Sequence, residues 1–172
     1  MSKGPPDDQT LSGLNIPVEV PEFLRSAPAL DALSYYSPLP DHWRGRGEPA
    51  LAVATAPDHF IQMEALHVLP HLPRNRYNYV RALALAQTSH PELALIAQKI
   101  GMRPYQAVEV RERLKVAMRD YREAVARKEA LEPVQAEVIF MAGWLGHYVG
   151  DAAMPLHTSN KPNGWVGLNP AN

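Results

Sequence analysis

No cysteine occurs among the 172 residues, which excludes disulfides, thiolate zinc ligands and cysteine nucleophiles together. A long apolar run is also missing, so no segment is read as crossing a bilayer. Met1 to Thr10 is polar and proline-rich, and no basic stretch leads into an apolar one, so it does not read as a signal peptide. Charge of one sign is not in excess. Lys and Arg number 17 against 18 Asp and Glu, for a formal net charge of −1. Nothing therefore advertises a nucleic-acid or anionic-membrane surface, and any contact with phosphate has to be local. Strand-like alternation and internal repeats are absent as well.

What is present is the size of one domain, long enough to bury a sizeable core. With thiols gone, seven histidines and the carboxylates leave nitrogen and oxygen as the ligands for a transition metal. Residues 1–17 read as a loose leader with no periodic apolar face, and 18–172 as the domain. A short helix is expected near Pro21, carrying Phe23 and Leu24. Between 37 and 58, Pro38, Pro40, Gly45, Gly47, Pro49 and Pro57 predict a long loop. That loop would carry Asp41, His42 and Trp43, then Asp58, His59 and Phe60.

From Arg74 the pattern turns helical, with Tyr77, Val80, Leu83 and Ala84 expected on one face until Pro91. Leu93, Ile96 and Ala97 resume it up to Gly101. In the next helix Val110, Leu114, Ala117, Met118, Tyr121 and Val125 recur at three- and four-residue steps, opposite Glu112, Lys115, Arg119 and Arg122. Pro133 then suits the first turn of a helix over Val134 to Ala153. From Val138 to Gly150 its ionisable side chains are His147 and Tyr148, so it is expected to be buried on most sides. Gly143, Gly146 and Gly150 would let a neighbouring segment approach it. The fold class is all-α: a multi-helix bundle with a buried central helix and a long ligand-bearing loop.

His147 and Asp151 are four apart on that helix. Four residues advance a helix by ~6 Å and ~400°, so both side chains leave one face and can bind one ion. His157 follows just past Pro155, where the chain can fold back toward that face. A carboxylate in so apolar a helix needs a cation, and His147 or a metal are the nearest candidates. His67 and His71 flank Pro70 and read as surface loop residues, and His90 reads as a helix end.

The run Gly143-Trp-Leu-Gly-His147-Tyr-Val-Gly-Asp151, followed by Pro155-Leu-His157, resembles the zinc-dependent phospholipase C and single-strand-specific nuclease superfamily. Leu39-Pro-Asp41-His-Trp43-Arg44 and Ala56-Pro-Asp58-His59-Phe60 also look like its ligand-bearing regions, and the likeness runs from about Val18 to the end. The resemblance implies a helical fold, three zinc ions and phosphodiester hydrolysis by metal-activated water. It implies that Asp41, His59, His147 and Asp151 surround one zinc, that Asp151 bridges to a second, and that His157 begins a third site. Asp58 is read either as supporting His59 or as capping the turn after Pro57. Asp41 or Asp58 would orient the water or take its proton, and Trp165 would stack on substrate.

The pattern also departs from that family. Its members open with a Trp and a nearby His that bind zinc, whereas residues 1–30 here hold neither. After His157 there is no further Asp, Glu or His. One zinc site is therefore expected to be complete, and the chain is expected to lack segments at both ends. Relatives in that family are usually secreted or periplasmic. The expected substrate is single-stranded nucleic acid. Phospholipid hydrolysis is the alternative, and a non-catalytic domain holding one zinc or none is the second alternative.

Overall fold

A computed structural model describes residues 20–161 of the protein. The leader 1–17 and Trp165 lie outside the described residues. Among the described residues there is no strand, and the fold is all-α. No helix among the described residues is long and apolar enough to cross a membrane.

A 3₁₀ turn over Glu22–Arg25 leads into helix α1, Ala27–Tyr36. Ser26 starts α1, its Oγ accepting the Ala29 N–H at 3.3 Å. The expected loop over 37–58 is not a loop. It folds into α2 (Leu39–Gly45), α3 (Pro49–Thr55) and a 3₁₀ turn over Ala56–His59. The reason is where its prolines fall. Pro40, Pro49 and Pro57 each occupy one of the first two helical positions, where a missing N–H costs nothing and a fixed φ favours the helix. They act as starts rather than breakers.

A further 3₁₀ turn, Met63–Val68, precedes α4 (Arg76–Ser89), which Asn75 caps through Oδ1 and the Asn78 N–H. His90 ends α4 as expected, and a short α5 spans Ala97–Ile100. The face of α4 differs from expectation. Tyr79 and Leu83 are the buried pair, whereas Tyr77 is 81% exposed and Val80 is also exposed. Tyr79 wins because its ring reaches the cluster of Ile61, Leu66, Leu95, Ile100 and Tyr105, and its hydroxyl donates to the Gly101 carbonyl at 3.1 Å.

The two long helices, α6 (Arg103–Arg127) and α7 (Glu132–Ala153), form an antiparallel hairpin. Val110, Ala117 and Ala124, at seven-residue steps, are the fully buried stripe of α6. Lys128 closes α6 in the left-handed conformation, φ 57°, with its N–H bonded back to the last-turn carbonyls. Helix α1 lies across α7, where Tyr36 meets Phe140 edge-on at 5.3 Å. Gly143 makes that crossing possible, since a Cβ there would lie 2.7 Å from Tyr36 Cβ.

The central helix is buried on one face only. Val149 is exposed, and among the described residues nothing lies within 4 Å of a Cβ built on Gly146 or Gly150, so neither serves a close approach there. The apolar run is wider than the surface with which the described residues cover it.

Candidate metal centre

The site forms where α6 begins and α7 ends. His147 and Asp151 leave one face of the last two turns of α7, as their spacing requires. His59 comes from the 3₁₀ turn after α3 and is 2% exposed. Four backbone hydrogen bonds fix that turn. Met102 N–H donates to Pro57 O at 2.6 Å, Arg103 N–H to Phe60 O at 3.1 Å, Gln62 N–H to Ile100 O at 2.7 Å and Ile61 N–H to His157 O at 2.9 Å. Gly101 permits this contact, with φ +90° and the Phe60 carbonyl pressed against its Cα. Asp41 reaches in from α2, which is held to α7 by Trp43 against Trp144 at 5.4 Å. Trp144 is thus a packing residue.

The donor atoms converge. His59 Nδ1 is 2.9 Å from His147 Nε2 and 3.1 Å from Asp151 Oδ2. His147 Nε2 is 3.3 Å from the same oxygen, and Asp41 Oδ1 is 3.6 Å from His59 Nδ1. Asp41, His59 and His147 offer ligand atoms all within 4.8 Å of one another, and they could hold a metal ion. Asp151 Oδ2 joins them through its contacts to both imidazoles. A tetrahedral ion with bonds of about 2.0 Å separates its ligand atoms by roughly 3.3 Å. The four short separations lie on both sides of that value. Two imidazole nitrogens facing one another at hydrogen-bond distance, flanked by two carboxylates, are what a central cation would satisfy together.

Asp151 uses its two oxygens differently. Oδ2 faces His59 and His147, while Oδ1 lies 3.2 Å from His157 Nδ1. That nitrogen is buried and makes no hydrogen bond, so the contact is one of proximity alone. Burial would push the Asp151 carboxyl up, but hydrogen bonds from His147 and His59 hold it well below the usual carboxylate range. His157 itself sits in the 3₁₀ turn Pro155–Thr158.

Asp58 is next to His59 in sequence yet turned away from it. Its Oδ1 faces Arg76 Nη1 at 3.5 Å and makes no hydrogen bond. Neither expected role forms, because His59 Nε2 is buried without a partner and the carboxylate caps no backbone N–H. Burial pushes the Asp58 carboxyl up to about 6, against the pull of Arg76. His42 lies on the same helix as Asp41 but lines a separate groove with Tyr35, Trp43 and Arg46. His67 and His71 are exposed, as expected, although His67 belongs to the 3₁₀ turn Met63–Val68 and not to a loop.

Three residues near the site carry no local sequence signal. Tyr148 packs against both imidazoles, with ring centroids 5.5 Å from His59 and 5.3 Å from His147. Arg76 spans α4 and α6, donating to Glu109 and Gln106 at 2.6 Å each. Arg103, buried at the start of α6, donates through Nη1 to the carbonyls of Asp151 at 2.8 Å and His157 at 3.3 Å. Comparisons with protein-family models, with curated proteins and with solved structures give no match for this chain.

Proposed function

We propose that this protein is a zinc-dependent phosphodiesterase acting on single-stranded nucleic acid. The observation that carries the reading is the convergence of His59 Nδ1, His147 Nε2 and Asp151 Oδ2 within 3.3 Å of one another, with Asp41 Oδ1 beside them. Two imidazoles and two carboxylates suit zinc, and hard ions that prefer six or more oxygens fit this set poorly. The resemblance of the 143–157 segment to zinc-dependent phosphodiesterases supports the same reaction. Zinc bound there supplies Lewis acidity, which brings the ionisation of water toward neutral pH and offsets charge on phosphoryl oxygens.

The protein's own groups divide the remaining work. His59 is buried, His147 is largely covered, and both are held by packing against Tyr148, so they fix geometry. Asp41, with its side chain 49% exposed and paired to Arg44 at 2.7 Å, stands at the open rim. With Oδ1 turned to the cluster, Asp41 would orient an incoming water through its other oxygen, whereas Asp58 is buried against Arg76. His157 and the second oxygen of Asp151 provide the beginnings of a further cation site.

A second reading, a domain that holds one ion without turnover, is favoured by one observation. Among the described residues a single grouping of three ligand residues is present. Elemental analysis of the purified chain, beside hydrolysis of single-stranded DNA, duplex DNA, phosphatidylcholine vesicles and a chromogenic phosphodiester, separates the readings. Bound zinc with preferential cleavage of single strands is expected. Vesicle hydrolysis alone would move the substrate to phospholipid, zinc without turnover would leave the non-catalytic reading, and no zinc would overturn both.

A further inference from the structure

Arg103 is 5% exposed at the first position of α6. A cation there works against the dipole of its own helix. It has no ion-pair partner among the described residues. A residue so placed needs compensation, and the structure supplies it from the other helix. The guanidinium points at the C-terminal end of α7, the negative end of that helix dipole, where the carbonyls of Asp151 and His157 each already accept one backbone N–H and have a lone pair to spare. There Nη1 donates to the Asp151 carbonyl at 2.8 Å and to the His157 carbonyl at 3.3 Å. The backbone N–H of the same residue donates to Phe60 O at 3.1 Å, next to His59. One residue thus touches all three segments that bring His59, Asp151 and His157 together, although 48 and 54 positions separate it from the last two.

We propose that Arg103 is the positioning residue of the metal centre, locking the segments that carry His59, Asp151 and His157 into one register. It contacts no ligand atom of the cluster and acts through the backbone that aims them. The inference rests on the metal-centre reading and on no particular substrate. Groups that orient metal ligands from behind typically contribute 10–100-fold to affinity when removed, and Arg103 belongs in that range.

The test uses the full chain, wild type and Arg103→Met, titrated with Co²⁺ as a spectroscopic substitute for zinc. Calorimetry reads affinity, the visible bands read coordination, and melting in chelator reads the stability of the metal-free protein. The expected result is a loss of about 10–100-fold in Co²⁺ affinity with altered bands for Arg103→Met. Arg103→Lys, which keeps a cationic donor, recovers part of the loss. Should the Met variant not fold, Arg103→Gln, too short to serve both carbonyls, takes its place with the same expectation. Wild-type affinity and bands in the folded Met or Gln variant overturn the proposal. So does a loss that Lys does not relieve and that follows the fall in metal-free melting temperature. Wild-type protein that takes up no Co²⁺ or zinc overturns the metal-centre reading instead.

Discussion

Gly101 and Phe60 meet with no room between them: a Cβ on Gly101 would fall 2.1 Å from the Phe60 carbonyl oxygen. With φ 90° and ψ 163°, Gly101 also occupies backbone space that is essentially closed to other residues. This contact joins the start of α6 to the turn that presents His59.

Gly101→Ala is accordingly expected to cost about 3 kcal/mol or more, combining backbone strain with a backbone clash. For a chain of this length that is a drop of roughly 6–12 °C in melting temperature. Gly146→Ala is the control. It has open space around it and gains helix propensity, so it should stabilise by about 0.4–1 kcal/mol. Thermal denaturation of the pair decides, and an unchanged Gly101→Ala melt would refute the packing described.

Metal removal gives a second expectation. Chelator should lower the melting temperature and added zinc restore it, with about 2.7 kcal/mol of stabilisation at a hundredfold excess over Kd. His59→Ala and His147→Ala should abolish that restoration. His157→Ala should retain it, because His157 faces only the far oxygen of Asp151. Zinc dependence unaffected by His147→Ala would place the ion elsewhere.

Arg76 and Asp58 form a coupled pair in the interior. Arg76→Met strands a carboxylate that is 4% exposed, at an expected cost of about 3–5 kcal/mol. Adding Asp58→Asn should recover part of that cost, since a neutral amide tolerates the site better than an unpaired charge. Chemical denaturation of both single variants and the double variant measures the coupling. Strict additivity would mean that the two side chains do not interact.

Two neighbouring tyrosines test the orientation of α4. Tyr79→Ala is expected to cost about 3–5 kcal/mol, as large aromatic truncations in a core do. Tyr77→Ala should stay within about 0.5 kcal/mol, being exposed. Equal effects would mean that the helix is rotated.

The long helices were legible from sequence because their apolar residues recur over many turns. The α7 expectation of 134–153 differs from the observed start by two residues. The His147–Asp151 pair was legible for the same reason, since helical spacing alone puts both on one face. The 37–58 segment is not legible in this way, because proline signals both a break and a first turn, and counting prolines does not separate the two. In α4, Tyr77 and Tyr79 each begin a plausible apolar face, and only the tertiary partners of Tyr79 choose between them. Arg103 and Arg76 were invisible for another reason. Their contacts reach other elements of the fold, and a lone arginine at a helix start carries no sign of what it will meet.

The hairpin of α6 and α7 leaves from the metal centre and returns to it, since Arg103 opens one helix and Asp151 lies in the last turn of the other. Its bend is therefore set apart by the stretch of α7 from Glu132 to His147 and Asp151, about 22–29 Å at helical rise. Ala130 lies exposed in that bend, in a chain that has no thiol of its own. Ala130→Cys would thus give a single attachment point for a dye or a surface tether, remote enough from the ion to leave its ligands untouched. Quenching of such a dye by Co²⁺ would turn the hairpin into a ruler for occupancy of the site.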